Sequence, residues 1–566
     1  MTVSSATSSS TSSSSASTVT TTGTTTSTSL DWSALITAQV NAKLAAATSI
    51  QTTITANEAK ITAYQQLQTL LSTLSSGLTS LNSSIVNSLA TNAFASRSAT
   101  ITATGDVSAS SALGMSVSNG AATGDHTLEI TQLATAHKVI GSAQSSQSTA
   151  LGYSGSFSLG LSGGTSATIS VTSDMSLLDI VDAVNAQTST TNVQASVVQV
   201  SSGEYELVLS GTQDAADIVT SSTSGSSTDI LNALGVTDSS GAFTDVLQTA
   251  QSAIISLDGI TITRDTNDIT DVLSGVTFNL LQATPSGTSL NISIGTNTSQ
   301  IESAIETFVT DYNAFRDYVV TQQAQNSDGT AASSAVLFGD GTMRDIMTQL
   351  QQALSTSLDS LSMSDLGLSF NTSNELVLDS SALETSLSSN LSGLTSLLAA
   401  QTTTSSGQLN VVNSGTSPPS SFTLDIEVDS SGNLTSASVG GDSSMFSVSG
   451  KTIIGASGTA YAGMAFTYSG TTSQSVTVTS TTGIAAQIYN IAKNFSNTTS
   501  GALQTLISGL QTQDTTLEQK VSDIQANAAT YQTMLQNQYA QYQAAIQSAN
   551  NTLNYLTALL DASSNN

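Results

Sequence analysis

Residues 517–560 read LEQKVSDIQANAATYQTMLQNQYAQYQAAIQSANNTLNYLTALL, with no proline or glycine. Apolar residues recur there at alternating steps of four and three, the a/d pattern of a coiled-coil helix. The positions that form this seam are Leu517, Val521, Ile524, Tyr531, Leu535, Tyr542, Ile546, Leu553, Leu556 and Leu560. A continuous helix from Leu503 to Leu560 would be on the order of 85 Å long.

The other end of the chain carries a matching pattern. Asp31 is placed to cap a helix that begins at Trp32. A second four-three seam follows at Leu67, Leu71, Leu74, Leu78, Leu81 and Ile85. Each leucine left in water would forgo roughly 1.5–3 kcal/mol of burial energy. We therefore predict that the chain ends pair with each other and with further copies, and that the two seams are the helix-packing and assembly residues. A self-contained helical bundle without an assembly role is the alternative.

Between the ends the apolar period changes to two, which is typical of strands. Alternation occurs at 127–131, 193–200 and 204–209, and one short helix is predicted from Ser176 to Ala186. Ser176 and Asp179 have the spacing of a capping box, and the apolar face of this helix consists of Leu177, Ile180, Val181 and Val184. Ser299 and Glu302 have the same spacing and predict another helix start, and a further helix is predicted through Ile346, Leu350, Leu354 and Leu358.

The predicted fold class is α+β multidomain, with terminal α-helical coiled-coil legs enclosing β-rich head domains. The predicted order is a disordered Ser/Thr-rich leader (1–29), an N-terminal leg (30–95), the first part of a head domain (96–140), an inserted α+β outer head domain (141–250), the second part of the head domain (251–298), a helical leg domain (299–400), an inserted β-rich region (401–480) and a C-terminal leg (481–566).

Composition narrows the function classes. The chain has 566 residues, a formal charge of -29 and 9% charged residues. Phosphate backbones and anionic lipid repel such a chain, which disfavours nucleic-acid and membrane binding. The absence of cysteine excludes disulfides and thiolate metal sites. Residues 1–30 lack the basic and apolar segments of a signal peptide, so we expect secretion without a cleaved signal.

Catalytic motifs are incomplete. Ser449, Gly450, Lys451 and Thr452 resemble the end of a phosphate-binding loop, but Met445 stands where that motif requires its first glycine. His126 and His137 are the only histidines, and no G-x-S-x-G motif accompanies them. We therefore predict a non-enzymatic protein with no cofactor and no metal site.

Several stretches in order along the chain resemble the bacterial flagellar filament cap family, hook-associated protein 2. They are Leu30–Ile36, His126–Lys138, Ile262–Ile269 with Gly275–Phe278, Phe308–Asn313, Val336–Arg344, Leu366–Leu368 and Leu376–Asp379. Residues 177–185 resemble the small inserted motif shared by flagellins and hook-associated proteins, whereas residues 401–480 match only loosely.

The resemblance implies a structural protein at the distal tip of the flagellar filament. Members of this family form a homo-oligomeric, pentamer-like ring that prevents loss of exported flagellin and promotes its polymerisation. The implied partners are further copies of the chain, flagellin, the flagellar type III export apparatus and a cytoplasmic export chaperone, with host or surface ligands as an additional possibility. The implied location is extracellular. The alternative function is a secreted Ser/Thr-rich surface adhesin or S-layer-like protein.

Overall fold

The computed structural model describes residues 31–82, 89–222, 229–415 and 418–564. The predicted leader (1–29) and Ile85 lie outside these residues. The chain divides into two compact units, which we name the helical unit (Met1–Gln65 with Thr505–Asn566) and the central unit (Gln66–Gln504).

The central unit begins with the last turns of helix α1 (Trp32–Gly77). The last residue of α1, Gly77, lies so close to Asp311 that a Cβ at this position would overlap the Asp311 carboxylate. The elements that follow are a 3-10 turn (Ala93–Ala95), β1 (Arg97–Ala103), α2 (Ala109–Ala112), β2 (Leu113–Val117), β3 (Gly124–Gln132) and β4 (Ala136–Ile140).

The segment between β4 and the next strand of the first sheet then forms a separate α+β layer. Its elements are β5 (Gly155–Leu161), β6 (Ala167–Val171), α3 (Leu177–Asn185), α4 (Thr188–Thr191), β7 (Val193–Ser201), β8 (Glu204–Asp214), β9 (Ile218–Ser222), α5 (Ile230–Ala233) and β10 (Asp245–Gln248). The sheets have the strand orders β10-β4-β8-β7 and β6-β5-β9, and their apolar faces share one core with α3. All four predicted face residues of α3 are buried, and its capping box of Ser176 and Asp179 is present as predicted.

The chain then returns to the first layer. Its strands are β11 (Ala253–Leu257), β12 (Ile260–Arg264), β13 (Asp268–Ile269), β14 (Val276–Leu280) and β15 (Leu290–Thr296). They complete an antiparallel sheet of order β1-β15-β3-β11-β12 and a smaller one of order β13-β14-β2. Leu128, Ile130 and Phe278 are fully buried in the core that these sheets share.

A helical region follows, with two departures from the predicted helix ends. It contains α6 (Thr298–Gln322), α7 (Gly341–Leu354), β16 (Leu368–Phe370), β17 (Leu376–Leu378) and α8 (Ser380–Leu398). The predicted cap at Ser299 is wrong: β15 ends at Thr296, and Asn297 immediately after it accepts the Gln300 N–H at 3.2 Å. Helix α7 ends at Leu354, so Leu358 lies beyond it in a turn closed by its backbone bonds to Leu361.

The segment between α8 and the next helix forms a two-sheet β structure. Its strands are β18 (Ala400–Thr404), β19 (Leu409–Ser414), β20 (Ser421–Val428), β21 (Leu434–Ser438), β22 (Phe446–Ser449), β23 (Thr452–Gly455), β24 (Met464–Tyr468) and β25 (Gln474–Thr482). The strand orders are β18-β25-β20-β21 and β19-β24-β23-β22, and one apolar core lies between the two sheets. The first and last strands, β18 and β25, pair with each other.

The chain ends with α9 (Ile484–Ser496) and α10 (Ala502–Ser564). Helix α10 closely matches the helix predicted from residue 503 to residue 560. In the helical unit, the N-terminal part of α1 and most of α10 run alongside each other. The α+β multidomain prediction, with long helices at both ends of the chain and β-rich sheets between them, is therefore confirmed.

Candidate assembly surface

A buried polar pair joins α1 to α10 in the helical unit. Asn57 Nδ2 donates to Asp514 Oδ1 at 2.7 Å, and the two residues are only 6% and 7% exposed. A polar pair in an otherwise apolar seam is satisfied in one register only, because sliding either helix leaves both groups buried without a partner. This pair therefore fixes the alignment of the two helices.

Aromatic and amide contacts join the same helices near the start of α1. The Trp32 and Tyr539 rings lie 4.8 Å apart. Gln39 bridges two tyrosines: its Oε1 accepts from the Tyr531 hydroxyl at 3.0 Å, and its Nε2 lies 3.4 Å from the Tyr539 hydroxyl. The Lys43 ammonium lies 4.7 Å from the centre of the Tyr531 ring. Tyr531 thus serves in the seam as both an apolar and a hydrogen-bonding residue.

Helix α10 continues well beyond these contacts. From Tyr539 to its end at Ser564 it runs for a further 25 residues, about 37 Å at the usual rise of a helix. The apolar side chains of this extension are 47–67% exposed: Tyr542, Ile546, Leu553, Tyr555, Leu556, Leu559 and Leu560. The single chain therefore presents an uncovered apolar face at the end of α10, which we call the α10 extension (542–564).

The predicted seam residues fall into three groups. Leu67, Leu71, Leu74, Leu78 and Leu81 are completely buried inside the central unit, although Leu78 and Leu81 lie in turns after the helix end at Gly77. Leu517, Val521, Ile524 and Tyr531 are half-buried and Leu535 is buried, whereas Tyr542, Ile546, Leu553, Leu556 and Leu560 are exposed. A role for any of these residues in assembly stays a prediction.

The sequence pattern missed the polar residues of the interface. Asn57, Asp514 and Gln39 do not belong to an apolar period, so a search for apolar residues passes over them. One signal was available for Asn57: it lies three residues after buried Ile54 and seven before buried Tyr64, within the helical period of the buried face.

The incomplete phosphate-loop motif and the two histidines noted in the sequence lie in turns, hydrogen bonds and buried packing of the fold. Gly450 and Lys451 form the hairpin turn between β22 and β23, and no helix follows them. His126 Nδ1 lies 2.8 Å from Asp258 Oδ2, and this hydrogen bond is the main cause that lowers the pKa of Asp258. His137 is buried, and its Nδ1 accepts the Ile218 N–H at 2.9 Å. Within the described ranges no three His, Asp or Glu side chains are grouped to hold a metal ion.

No helix in the described part of the chain is long and apolar enough to cross a bilayer.

Three regions of the chain match models of known protein families. Residues 28–137 match the family described as flagellar hook-associated protein 2 N-terminus, and residues 250–551 match flagellar hook-associated protein 2 C-terminus. Between them, residues 156–213 match the flagellin hook IN motif. This last match covers α3, where the sequence already resembled that motif.

Among individual relatives, the A-type flagellar hook-associated protein 2 of Pseudomonas aeruginosa is 25% identical over 49% of this chain and 62% of its own length. The B-type protein of the same species is 25% identical over 51% of this chain and 64% of its own length. The flagellar hook-associated protein 2 of Escherichia coli K12 is 26% identical over 54% of this chain and 68% of its own length. The chain thus spans less than two thirds of the length of the two Pseudomonas relatives.

One of the solved structures that the chain matches is that of the D1-D2-D3 domains of the flagellar cap protein from Escherichia coli. It is 21% identical, with a TM-score of 0.49 over 79% of this chain and 99% of that chain. The C-terminal family match alone covers more than half of the sequence, and the N-terminal match precedes it in the expected place. This chain belongs to the flagellar hook-associated protein 2 family.

Proposed function

We propose that this chain is the structural cap of a bacterial flagellar filament. Copies of it form a ring at the distal tip, prevent the escape of exported flagellin and promote its polymerisation. The protein acts outside the cell, as an assembly component and not as an enzyme. Its other partners are the flagellar export apparatus and a cytoplasmic chaperone. Family membership over both chain ends supports this function and favours it over the adhesin or S-layer alternative.

The observation that carries the proposal is the uncovered α10 extension. Its apolar residues are more than 45% exposed in the single chain, and they repeat at coiled-coil spacing. An isolated helix of this kind is marginal in water and gains its stability from packing. Covering the extension with neighbouring copies or with filament subunits therefore links folding of the helix to assembly.

The predicted domain partition is part of the same proposal. Three separate clusters of buried residues support it: one in the outer head domain (141–250) that also takes in Val139 of β4, one around the first sheets (96–140 with 251–298) and one in the inserted region (401–480). The helical parts (30–95, 299–400 and 481–566) would then serve as legs.

A truncation tests the function directly. Removing residues 543–566 deletes most of the extension but keeps the contacts of Trp32, Gln39 and Asn57 with α10. In a strain that lacks the native gene, the full chain should restore capped filaments in electron micrographs. The truncated chain should be exported and folded but should leave flagellin in the medium. Normal filaments with the truncated chain would refute a capping role for the extension.

A single substitution in the α10 extension tests whether its apolar seam is the part that matters. Leu556→Asp places a carboxylate in the seam, where it must be desolvated or break the contact. Asn554→Asp makes the same charge change at an exposed position outside the seam. Filament length should fall for Leu556→Asp and stay unchanged for Asn554→Asp. Equal defects in both variants would show that charge, and not the apolar seam, is responsible.

A further inference from the structure

Strand β7 lies at one edge of the sheet β10-β4-β8-β7 in the outer head domain. In an antiparallel pair, the N–H and C=O groups of alternate residues point toward the partner strand and those of the intervening residues point away. An edge strand therefore presents every second residue to a further strand, unless something covers that edge.

The first half of this edge is covered by side chains. Asn185 pairs with Ala195 as a neighbouring strand would: its Nδ2 donates to the Ala195 carbonyl at 3.0 Å, and its Oδ1 accepts the Ala195 N–H at 2.8 Å. Thr191 Oγ1 accepts the Val193 N–H at 3.2 Å, and Thr188 Oγ1 donates to the Val193 carbonyl at 3.0 Å. The outward-pointing groups of β7 thus belong to residues 193, 195 and, by alternation, 197 and 199.

The second half of the edge is open. The outward N–H and C=O groups of Val197 and Gln199 have no hydrogen-bond partner among the described residues. Beside them, the side chains of Val198 and Val200 are 44% and 47% exposed. Exposed β-branched residues next to unpaired backbone groups are the features that an added strand requires.

The charge of the domain indicates what kind of strand fits. Residues 141–250 contain ten aspartates and glutamates and no lysine, arginine or histidine. Glu206 lies opposite Val198 on β8, and exposed Glu204 lies opposite Ser201. A second copy would bring two domains of the same negative charge together, whereas a basic segment would be attracted to this edge.

We propose that the open edge of β7, residues 197–201, binds an extended, lysine- or arginine-bearing segment of a partner protein by strand addition. The backbone groups of Val197 and Gln199 supply the hydrogen bonds. Val198 and Val200 contact alternate apolar side chains of the added strand, and the acidic domain attracts its basic ones. This site is independent of the capping function proposed above.

The test uses the full-length protein and two synthetic peptides, one alternating lysine with valine and one alternating glutamate with valine. Fluorescence anisotropy at low salt should show saturable binding of the lysine peptide, at least tenfold tighter than the glutamate peptide. Gln199→Pro removes an outward N–H at an edge position, where proline is tolerated, and should weaken binding about tenfold.

Val198→Lys and Val219→Lys form a matched pair. Both residues are exposed valines of the same domain, 44% and 41% accessible, but Val219 lies on β9 in the other sheet. Val198→Lys should weaken binding of the lysine peptide at least fivefold more than Val219→Lys, and this comparison stands even if Gln199→Pro fails to fold.

Three results would overturn the proposal. The lysine peptide could fail to bind at millimolar concentration. It could bind equally to the Val198→Lys and Val219→Lys variants, which would indicate charge attraction without the edge. Finally, Val198→Lys could abolish self-association of the full chain without affecting the peptide, which would make a second copy the occupant.

Discussion

Three asparagines act as short substitutes for a strand. Asn185 pairs with both backbone groups of Ala195, Asn267 with those of Ala134, and Asn313 with those of Leu376, all at 2.8–3.0 Å. A planar amide can do this because it carries one acceptor and one donor at the spacing of a peptide group. Asn185 and Asn313 end stretches that resemble the family, and Asn267 lies within another, so the structure gives those stretches a physical role.

Replacement of one of these amides should be costly. In Asn313→Asp the donor is lost and a carboxylate faces the Leu376 carbonyl, so the free energy of unfolding should fall by about 1–3 kcal/mol. Urea denaturation followed by circular dichroism measures the change. Asn291→Asp, on an exposed position of β15, is the matched control and should stay within about 0.5 kcal/mol of the parent. Equal effects at both sites would contradict the role of the amide.

Asp311 should make the stability of the fold depend on pH in the opposite direction from a salt-bridged carboxylate. Burial raises the pKa of Asp311 above its ordinary value. The folded chain therefore holds the Asp311 proton more tightly than the unfolded chain does. At neutral pH, where Asp311 is ionised, its buried charge reduces the stability of the fold. This loss is absent below the unfolded pKa, near 3.9, and complete once the pH exceeds the folded pKa.

Asp311→Asn should consequently raise the melting temperature at pH 7 and leave it unchanged near pH 3. Glu306→Gln removes the same charge from an exposed position of α6 and serves as the control. A stabilisation that is equal at both pH values, or shared by the control, would rule out the titration of Asp311 as the cause.

At the scale of elements, α1 and α10 show how a long helical pair acquires one register. Apolar seams alone allow neighbouring registers, because leucine contacts leucine after a shift of one heptad. The Asn57–Asp514 pair removes that freedom, and the contacts of Gln39 with two tyrosines have the same effect near the start of α1.

Substitutions at the buried pair should separate stability from register. Asn57→Ala leaves the Asp514 carboxylate buried without its donor and should reduce stability by about 1–3 kcal/mol. Leucine at both positions should restore the stability but allow alternative registers. Because the chain lacks cysteine, spin labels on cysteines introduced at the exposed positions Gln51 and Gln519 can report the register through their separation. A single, unchanged separation in the double-leucine variant would mean that the pair does not set the alignment.

At the scale of the whole molecule, the β structure between α8 and α9 is an insertion with paired ends. Ala400 lies opposite Thr482 across β18 and β25, and the Gly483 N–H donates to the Ala399 carbonyl at 3.1 Å. Directly opposed residues of antiparallel strands have Cα atoms about 4.5–5.5 Å apart. The chain therefore leaves and re-enters the helical region at nearly the same point.

This geometry predicts that the insertion can be removed. Replacing residues 401–481 with a short glycine linker should leave a cooperative thermal transition and the helical signal of the remaining chain. Residues 399–483 expressed alone should show a strand-type spectrum with their own melt, because their buried core lies entirely within them. A shortened chain that no longer melts cooperatively would show that the insertion supports the helices around it.

The helices at both chain ends, the strand-rich middle and the capping box of α3 could all be predicted from the sequence. These features depend on local periodicity and on side chains a few residues apart, which can be read directly from the chain. The resemblance to the family was also contained in the sequence, because its stretches recur in order.

Contacts between residues that are far apart in sequence could not be predicted in this way, because they depend on tertiary packing. Asn57 contacts Asp514 across 457 positions. The N-cap of α6 is Asn297 and not the predicted Ser299, because β15 ends one residue before Asn297. The seam residues Leu67 to Leu81 became buried core of the central unit, while the α10 extension stayed exposed. Periodicity shows that a face is apolar, but what covers that face depends on packing between distant segments, which no local pattern encodes.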